Sequence, residues 1–103
     1  MKQLPAKTVF EDTEVFAIVD INPQAPVHLL VVPRLHIPEL KDTAVPHMAL
    51  LGKLMLVAKD LAVKYKLDQG FRLVVNNGRL AGQTVDHVHL HLLGGRQLNW
   101  PPG

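Results

Sequence analysis

The stretch Asp86-His87-Val88-His89-Leu90-His91-Leu92-Leu93-Gly94-Gly95 constrains the fold more than any other part of the chain. Three of the six histidines stand there at alternate positions, and the residues between them are apolar. A strand sends every second side chain to the same face, so this spacing predicts a strand with His87, His89 and His91 in one row. Val88, Leu90 and Leu92 then point into the core. One face of the strand anchors it and the other presents three imidazoles, the one side chain that changes charge near neutral pH without help.

Three readings of such a row compete. A solvent-facing strand can use histidine without a function. A metal can be held, since an H-x-H pair on a strand converges on zinc at about 2.0 Å per bond. Positions four apart on a strand are separated by about 13 Å, however, so the whole row cannot share one ion. With no cysteine in the chain, a closed site needs carboxylates or His28, His36 or His47. The third reading is catalysis on an anionic group such as phosphate. Imidazolium neighbours about 7 Å apart repel by about 2 kcal/mol at an effective dielectric near 20, so the row resists full protonation. Some rings then stay neutral and nucleophilic while another binds an oxyanion or protonates a leaving group. The middle ring, His89, has an imidazole on each side and is expected to be the least protonated, with His91 remaining the donor.

At 103 residues the chain is expected to form a single domain spanning residues 1–103, with one core. No run of about 18 apolar residues and no signal-peptide pattern is seen, which argues against a membrane partner and for a cytoplasmic location. A net charge of +2 without a Lys/Arg block argues against nucleic acid and suits a small anionic ligand.

Residues 8–11 and 15–19 read as a hairpin around Asp12-Thr13-Glu14, and residues 28–32 as a third strand ended by Pro33. Asp20, at a strand end, suits a turn or the hydroxyls of a ribose. A helical turn is expected near residues 37–41. From about Pro46 to Lys66, Leu51, Leu54, Met55, Ala58, Leu61, Ala62 and Tyr65 recur at three and four, which predicts the main helix, with its methionines as core filler and Gly70 beyond its end. Residues 71–75 form a fourth strand. The loop of residues 76–84 offers glycines for close phosphate approach and side-chain donors in Gln83 and Thr84. Trp100, in a proline-flanked tail, needs a surface to cover it.

His87-Val88-His89-Leu90-His91-Leu92-Leu93 resembles the signature of the histidine triad (HIT) superfamily. Asp20-Ile21-Asn22-Pro23-Gln24-Ala25-Pro26-Val27-His28, Val74-Val75-Asn76, Gly82-Gln83-Thr84, Gly94-Gly95-Arg96-Gln97 and Trp100-Pro101-Pro102-Gly103 extend the likeness to the Hint branch, the purine nucleoside phosphoramidases. The resemblance implies an α+β fold with a five-stranded antiparallel sheet, one main helix and a short helical turn. It implies a homodimer and hydrolysis of the P–N bond of AMP or GMP phosphoramidates, without metal or cofactor. His89 is then the nucleophile and forms a nucleotidyl-histidine. His91 contacts the phosphate and assists the leaving group, and His87 and His28 support the nucleophile. Asp20 holds the ribose, Ile21 lines the base pocket, Asn76, Gly82, Gln83 and Thr84 complete the contacts, and Trp100 packs near the partner's site.

The chain departs from the pattern in a short segment before Leu4-Pro5-Ala6-Lys7, in Asp86 where an aromatic is common, in Ala81 where glycine is common and in Thr84 where serine is common. A dinucleoside polyphosphate hydrolase, using the same row on P–O–P bonds, is the alternative enzyme, and the Trp100 tail argues against it. A nucleotide-binding or scaffold protein with incidental turnover is the alternative from another class.

Overall fold

The computed structural model describes residues 7–103, so the expectation about the short N-terminal segment lies outside the described residues. Strands β1 (Thr8–Glu11), β2 (Val15–Val19), β3 (Val27–Pro33), β4 (Phe71–Val74) and β5 (Leu90–Gly94) form one antiparallel sheet in the order β1-β2-β3-β5-β4. The five-stranded α+β architecture read from the sequence is the architecture observed. One helix, α1 (Met48–Lys64), packs on the sheet, and none of the described helices is long and apolar enough to cross a membrane.

The opening hairpin turns on Asp12, whose carboxylate accepts hydrogen bonds from the backbone N–H groups of Glu14 and Val15, both at 2.8 Å. Lys53 of α1 reaches the same turn, 2.7 Å from Asp12 and 2.8 Å from Glu14. This ion pair and the two N–H bonds hold the Asp12 carboxyl down at about 2.

Alternation places the core. Leu29 and Val31 of β3 lie opposite Leu92 and Leu90 of β5, and all four are buried with Leu54, Val57, Ala58 and Leu61 of α1. Residues directly opposite across an antiparallel pair share a face. His28 opposite Leu93, and Leu30 opposite His91, therefore occupy the face away from the helix. Gly94 closes β5 because a Cβ there would lie 2.7 Å from a methyl of the buried Leu67.

Five local expectations are corrected. The helix begins at Met48 rather than near Pro46, which lies in a separate 3₁₀ turn (Val45–His47), and the turn expected at residues 37–41 is another (Leu40–Asp42). Its end is made by Lys66, not Gly70: Lys66 takes φ 60°, its N–H bonds to Val63 O, and the N–H of buried Leu67 bonds to Ala62 O. That is the Schellman arrangement with lysine in the left-handed position. Met48 and Met55 are exposed rather than core filler, while Val57 is buried in their place. The histidine strand starts at Leu90, because Val88 N–H bonds to Ile37 O at 2.6 Å instead of entering the ladder.

Candidate active site

The alternation survives ahead of the strand proper: Val88, Leu90 and Leu92 are buried, and His87, His89 and His91 are half-buried. The rings of His89 and His91 are neighbours, with centroids 5.0 Å apart, and His91 in turn meets His28 of β3 at 5.1 Å. Asp20, immediately after β2, completes the cluster with its Oδ2 3.4 Å from His28 Nε2. Its Oδ1 accepts the Asn22 N–H at 2.8 Å, so Asp20 forms the turn and faces the cluster together.

Hydrogen-bond partners fix where the protons sit. Gln24 N–H lies 3.0 Å from His28 Nδ1, which must accept. A neutral His28 therefore carries its proton on Nε2, 2.9 Å from His91 Nδ1. His91 Nδ1 accepts that proton's bond, and its own N–H is on Nε2. At His89 the logic reverses. Its Nδ1 lies 2.7 Å from the carbonyl oxygen of His87 and must donate, which leaves the Nε2 lone pair open. Adjacent rings thus present a nucleophilic nitrogen and an N–H donor.

Burial, followed by the neighbouring His89 and His28, pushes His91 down to about 4. His28 is also pushed down by burial, against the pull of Asp20. The expectation that position in the row decides protonation is corrected in this respect: the end ring His91 is held neutral, because burial is the largest cause and the neighbouring His89 and His28 act in the same direction, against Asp20 alone. A second refinement concerns His28, whose ring supports His91 rather than touching His89.

These shifts make stability depend on pH. An unfolded imidazole titrates near 6.5, so below that value the unfolded chain takes up protons that the folded His91 refuses until about 4. The stabilisation is complete above 6.5 and is lost as pH falls towards 4. Asp12 adds its own loss only at lower pH, from 3.8 to about 2. Thermal unfolding followed across this window should give a midpoint that drops with acidification, and His91→Gln should flatten the slope. A wild-type midpoint independent of pH over that range would contradict the burial of neutral rings.

The remaining predicted residues are distributed around this centre. The loop after β4 folds on Gln83, a buried residue whose Oε1 accepts the Gly78 N–H at 2.7 Å and whose Nε2 donates to Pro38 O at 2.7 Å and Val85 O at 3.0 Å. The N–H groups of Ala81, Gly82 and Gln83 close the same loop onto Gly78 and Arg79. Gln83 therefore shapes the loop with the amide expected to face a phosphate. Exposed Thr84 makes none of these bonds. Gly82 holds φ 93°, a conformation natural to glycine, and the Asn76 amide lies 4.0 Å from where its Cβ would be. Ile21 is exposed beside Asp20. Trp100 is 79% exposed, against Arg72 at the β4 edge with the guanidinium 6.0 Å from its ring, and does not join the histidine cluster of its own chain.

Two roles carry no signal in the sequence, where His36 is named only as a residue that could complete a metal site. The Gln24 backbone N–H sets the His28 tautomer, which no residue type could signal. His36 contacts His87 ring to ring at 5.0 Å, across 51 positions of sequence. Among the described residues, Asp20, His28 and His91 also bring three ligand atoms within 4.8 Å of one another. This differs from the H-x-H pair considered on sequence grounds, and the same atoms already serve as one another's hydrogen-bond partners.

Residues 1–98 match the HIT domain family. The chain is 49% identical over 102 residues to a HIT-like protein of Synechocystis sp., with 99% of this chain and 90% of that protein covered. It is 46% identical over 104 residues to a 14 kDa zinc-binding protein of Zea mays, with 99% and 81% covered. The crystal structure of a HIT family hydrolase from Legionella pneumophila Philadelphia 1 matches with a TM-score of 0.95 at 48% identity, covering 99% of this chain and 92% of that one.

Proposed function

The chain belongs to the HIT family, and from that membership and the ring geometry we propose that it is a hydrolase of the Hint branch, cleaving the P–N bond of purine nucleoside 5′-phosphoramidates. The observation that carries this reading is the pairing of an open His89 Nε2 lone pair with the His91 Nε2–H on the adjacent ring. His89 Nε2 attacks the α-phosphorus and the P–N bond breaks, its electron pair going to the amine. The amine leaves with the Nε2 proton of His91, whose cationic form is favoured by the arriving phosphate anion in spite of burial and carries its second proton on Nδ1, while the His28 Nε2–H turns to the Asp20 carboxylate 3.4 Å away. Water then attacks phosphorus, the electron pair returns to His89, and one water proton returns to His91. The Asp20 carboxylate accepts the ribose hydroxyls, Ile21 lines the base pocket, and Asn76, Gly82 and Thr84 contact the ribose and phosphate, with Gln83 holding their loop.

Measuring kcat/KM for an adenosine phosphoramidate against a diadenosine polyphosphate tests the substrate class. The phosphoramidate should be preferred by at least about 10-fold, or roughly 1.4 kcal/mol in transition-state binding. Preference for the polyphosphate would favour the related hydrolase reading. Rates near the uncatalysed reaction for both would favour a binding module.

A metal-assisted reading has one observation behind it, the grouping of Asp20, His28 and His91, and a named zinc-binding relative. An ion there would replace the His28–His91 hydrogen bond that orients the donor. Turnover should therefore be unchanged after exhaustive chelation and should fall when zinc is added. Loss of activity on chelation, restored by zinc, would contradict the proposed mechanism.

The working unit is proposed to be a twofold homodimer. Met48, Met55, Leu56 and Val63 leave an apolar stripe on the outer side of α1, and Phe71 is exposed on the open edge of β4. Trp100, beside Arg72 on that edge, then packs near the partner's site. Mass measurement at micromolar concentration should give a dimer, and deletion of residues 97–103 should alter substrate selectivity more than folding. A monomer under those conditions would contradict the assembly.

A further inference from the structure

We infer that His36 is a positioning residue for the nucleophile, acting through His87; the inference rests on the reading of His89 as the attacking group. His36 lies on the connection after β3, where no regular element holds it. Two cross-links hold that connection instead. Ile37 is buried, with its carbonyl accepting Val88 N–H at 2.6 Å, and Pro38 O accepts the Gln83 side chain at 2.7 Å. Residues 36–38 are thereby fixed alongside residues 83–88.

The His36 ring stands edge-on to His87, at an interplanar angle of 66°, with the two Nδ1 atoms 3.1 Å apart. The other His87 nitrogen, Nε2, lies 2.7 Å from the carbonyl oxygen of Pro33. A carbonyl only accepts, so His87 Nε2 carries the proton and a neutral His87 has its lone pair on Nδ1. His36 Nδ1–H donates to that lone pair. Both nitrogens of His87 are then clamped, one by β3 and one by His36.

What the clamp holds still is the peptide of His87. Its carbonyl oxygen is the acceptor, at 2.7 Å, for His89 Nδ1–H. A free imidazole prefers its proton on Nε2, the tautomer in which the attacking nitrogen of His89 has no lone pair to use. The His87 carbonyl reverses that preference only while it faces Nδ1. His36 therefore sets the fraction of His89 in the reactive tautomer, without touching substrate.

Single-turnover nucleotidylation and the ¹⁵N ring signals of His89 test the assignment in the full chain. His36→Ala should slow nucleotidylation by about 10-fold, as expected from a small misalignment of a reacting group, with KM changed less than about 2-fold. The ring signals should change from the Nδ1–H form to a mixture. His36→Asn, whose amide N–H occupies the place of Nδ1–H, should restore both. His36→Gln, which reaches the position of Nε2, should restore neither. Wild-type rates and one tautomer in His36→Ala would overturn the assignment, as would equal rescue by asparagine and glutamine. Absence of any nucleotidyl-histidine in the wild type would instead remove the nucleophile reading, and the tautomer signals would still decide whether His36 places the His89 proton.

Discussion

His89→Ala should bind AMP with nearly wild-type affinity and turn over phosphoramidate at least about 10³-fold more slowly, a loss of about 4 kcal/mol of transition-state stabilisation. The size follows from the loss of the covalent route, since no other ring offers an Nε2 lone pair fixed beside an N–H donor. His87 has its Nε2 proton tied to Pro33 O, and His91 carries a proton on Nε2. His28 uses Nδ1 to accept Gln24 N–H and directs Nε2–H at His91. Nucleotide affinity should persist because the proposed ribose and base contacts, Asp20 and Ile21, lie on the β2–β3 connection and do not depend on the His89 ring. Near-normal turnover in His89→Ala would place the nucleophile elsewhere.

His91→Ala should lower kcat by about 10² to 10³-fold, within the range of general acid catalysis, and the loss should depend on the leaving group. A poorly basic amine departs with little need of a proton, so the defect should shrink for such substrates and be largest for alkyl amines. His91→Gln keeps an N–H near the position of Nε2–H and should recover part of the phosphate contact but not the proton transfer. His28→Ala removes the bond that holds His91 Nδ1 as acceptor, so it should reproduce part of the same defect. Because His28 and His91 act through one bond at 2.9 Å, the double variant should be less impaired than independent losses predict. Equal loss for all leaving groups would show that His91 binds phosphate without serving as the acid.

Most of the fold was legible because its patterns are periodic. The alternation of residues 87–92 and of the hairpin strands fixed their faces, and the spacing at three and four gave α1 to within two residues at each end. The helix end was not legible as observed, because the sequence favours Gly70 as terminator while burial of Leu67 forces Lys66 into the left-handed position. The exposure of Met48 and Met55 has a related reason: periodicity marks an apolar stripe but not whether that stripe faces the sheet. At the site, the row and its order were visible. Its proton arrangement was not, since it depends on backbone partners, Gln24 N–H and the carbonyls of Pro33 and His87, that carry no side-chain signature. The same holds for His36, which reaches His87 only because Ile37 and Pro38 are bonded to the far end of the chain.

Rapid-quench mass spectrometry of the wild-type protein mixed with an adenosine phosphoramidate tests the central claim most directly. A transient adduct of one nucleotidyl group should appear before steady-state product, map to His89, and decay to AMP. An adduct on any other residue, or full-rate turnover with no covalent species, would contradict it.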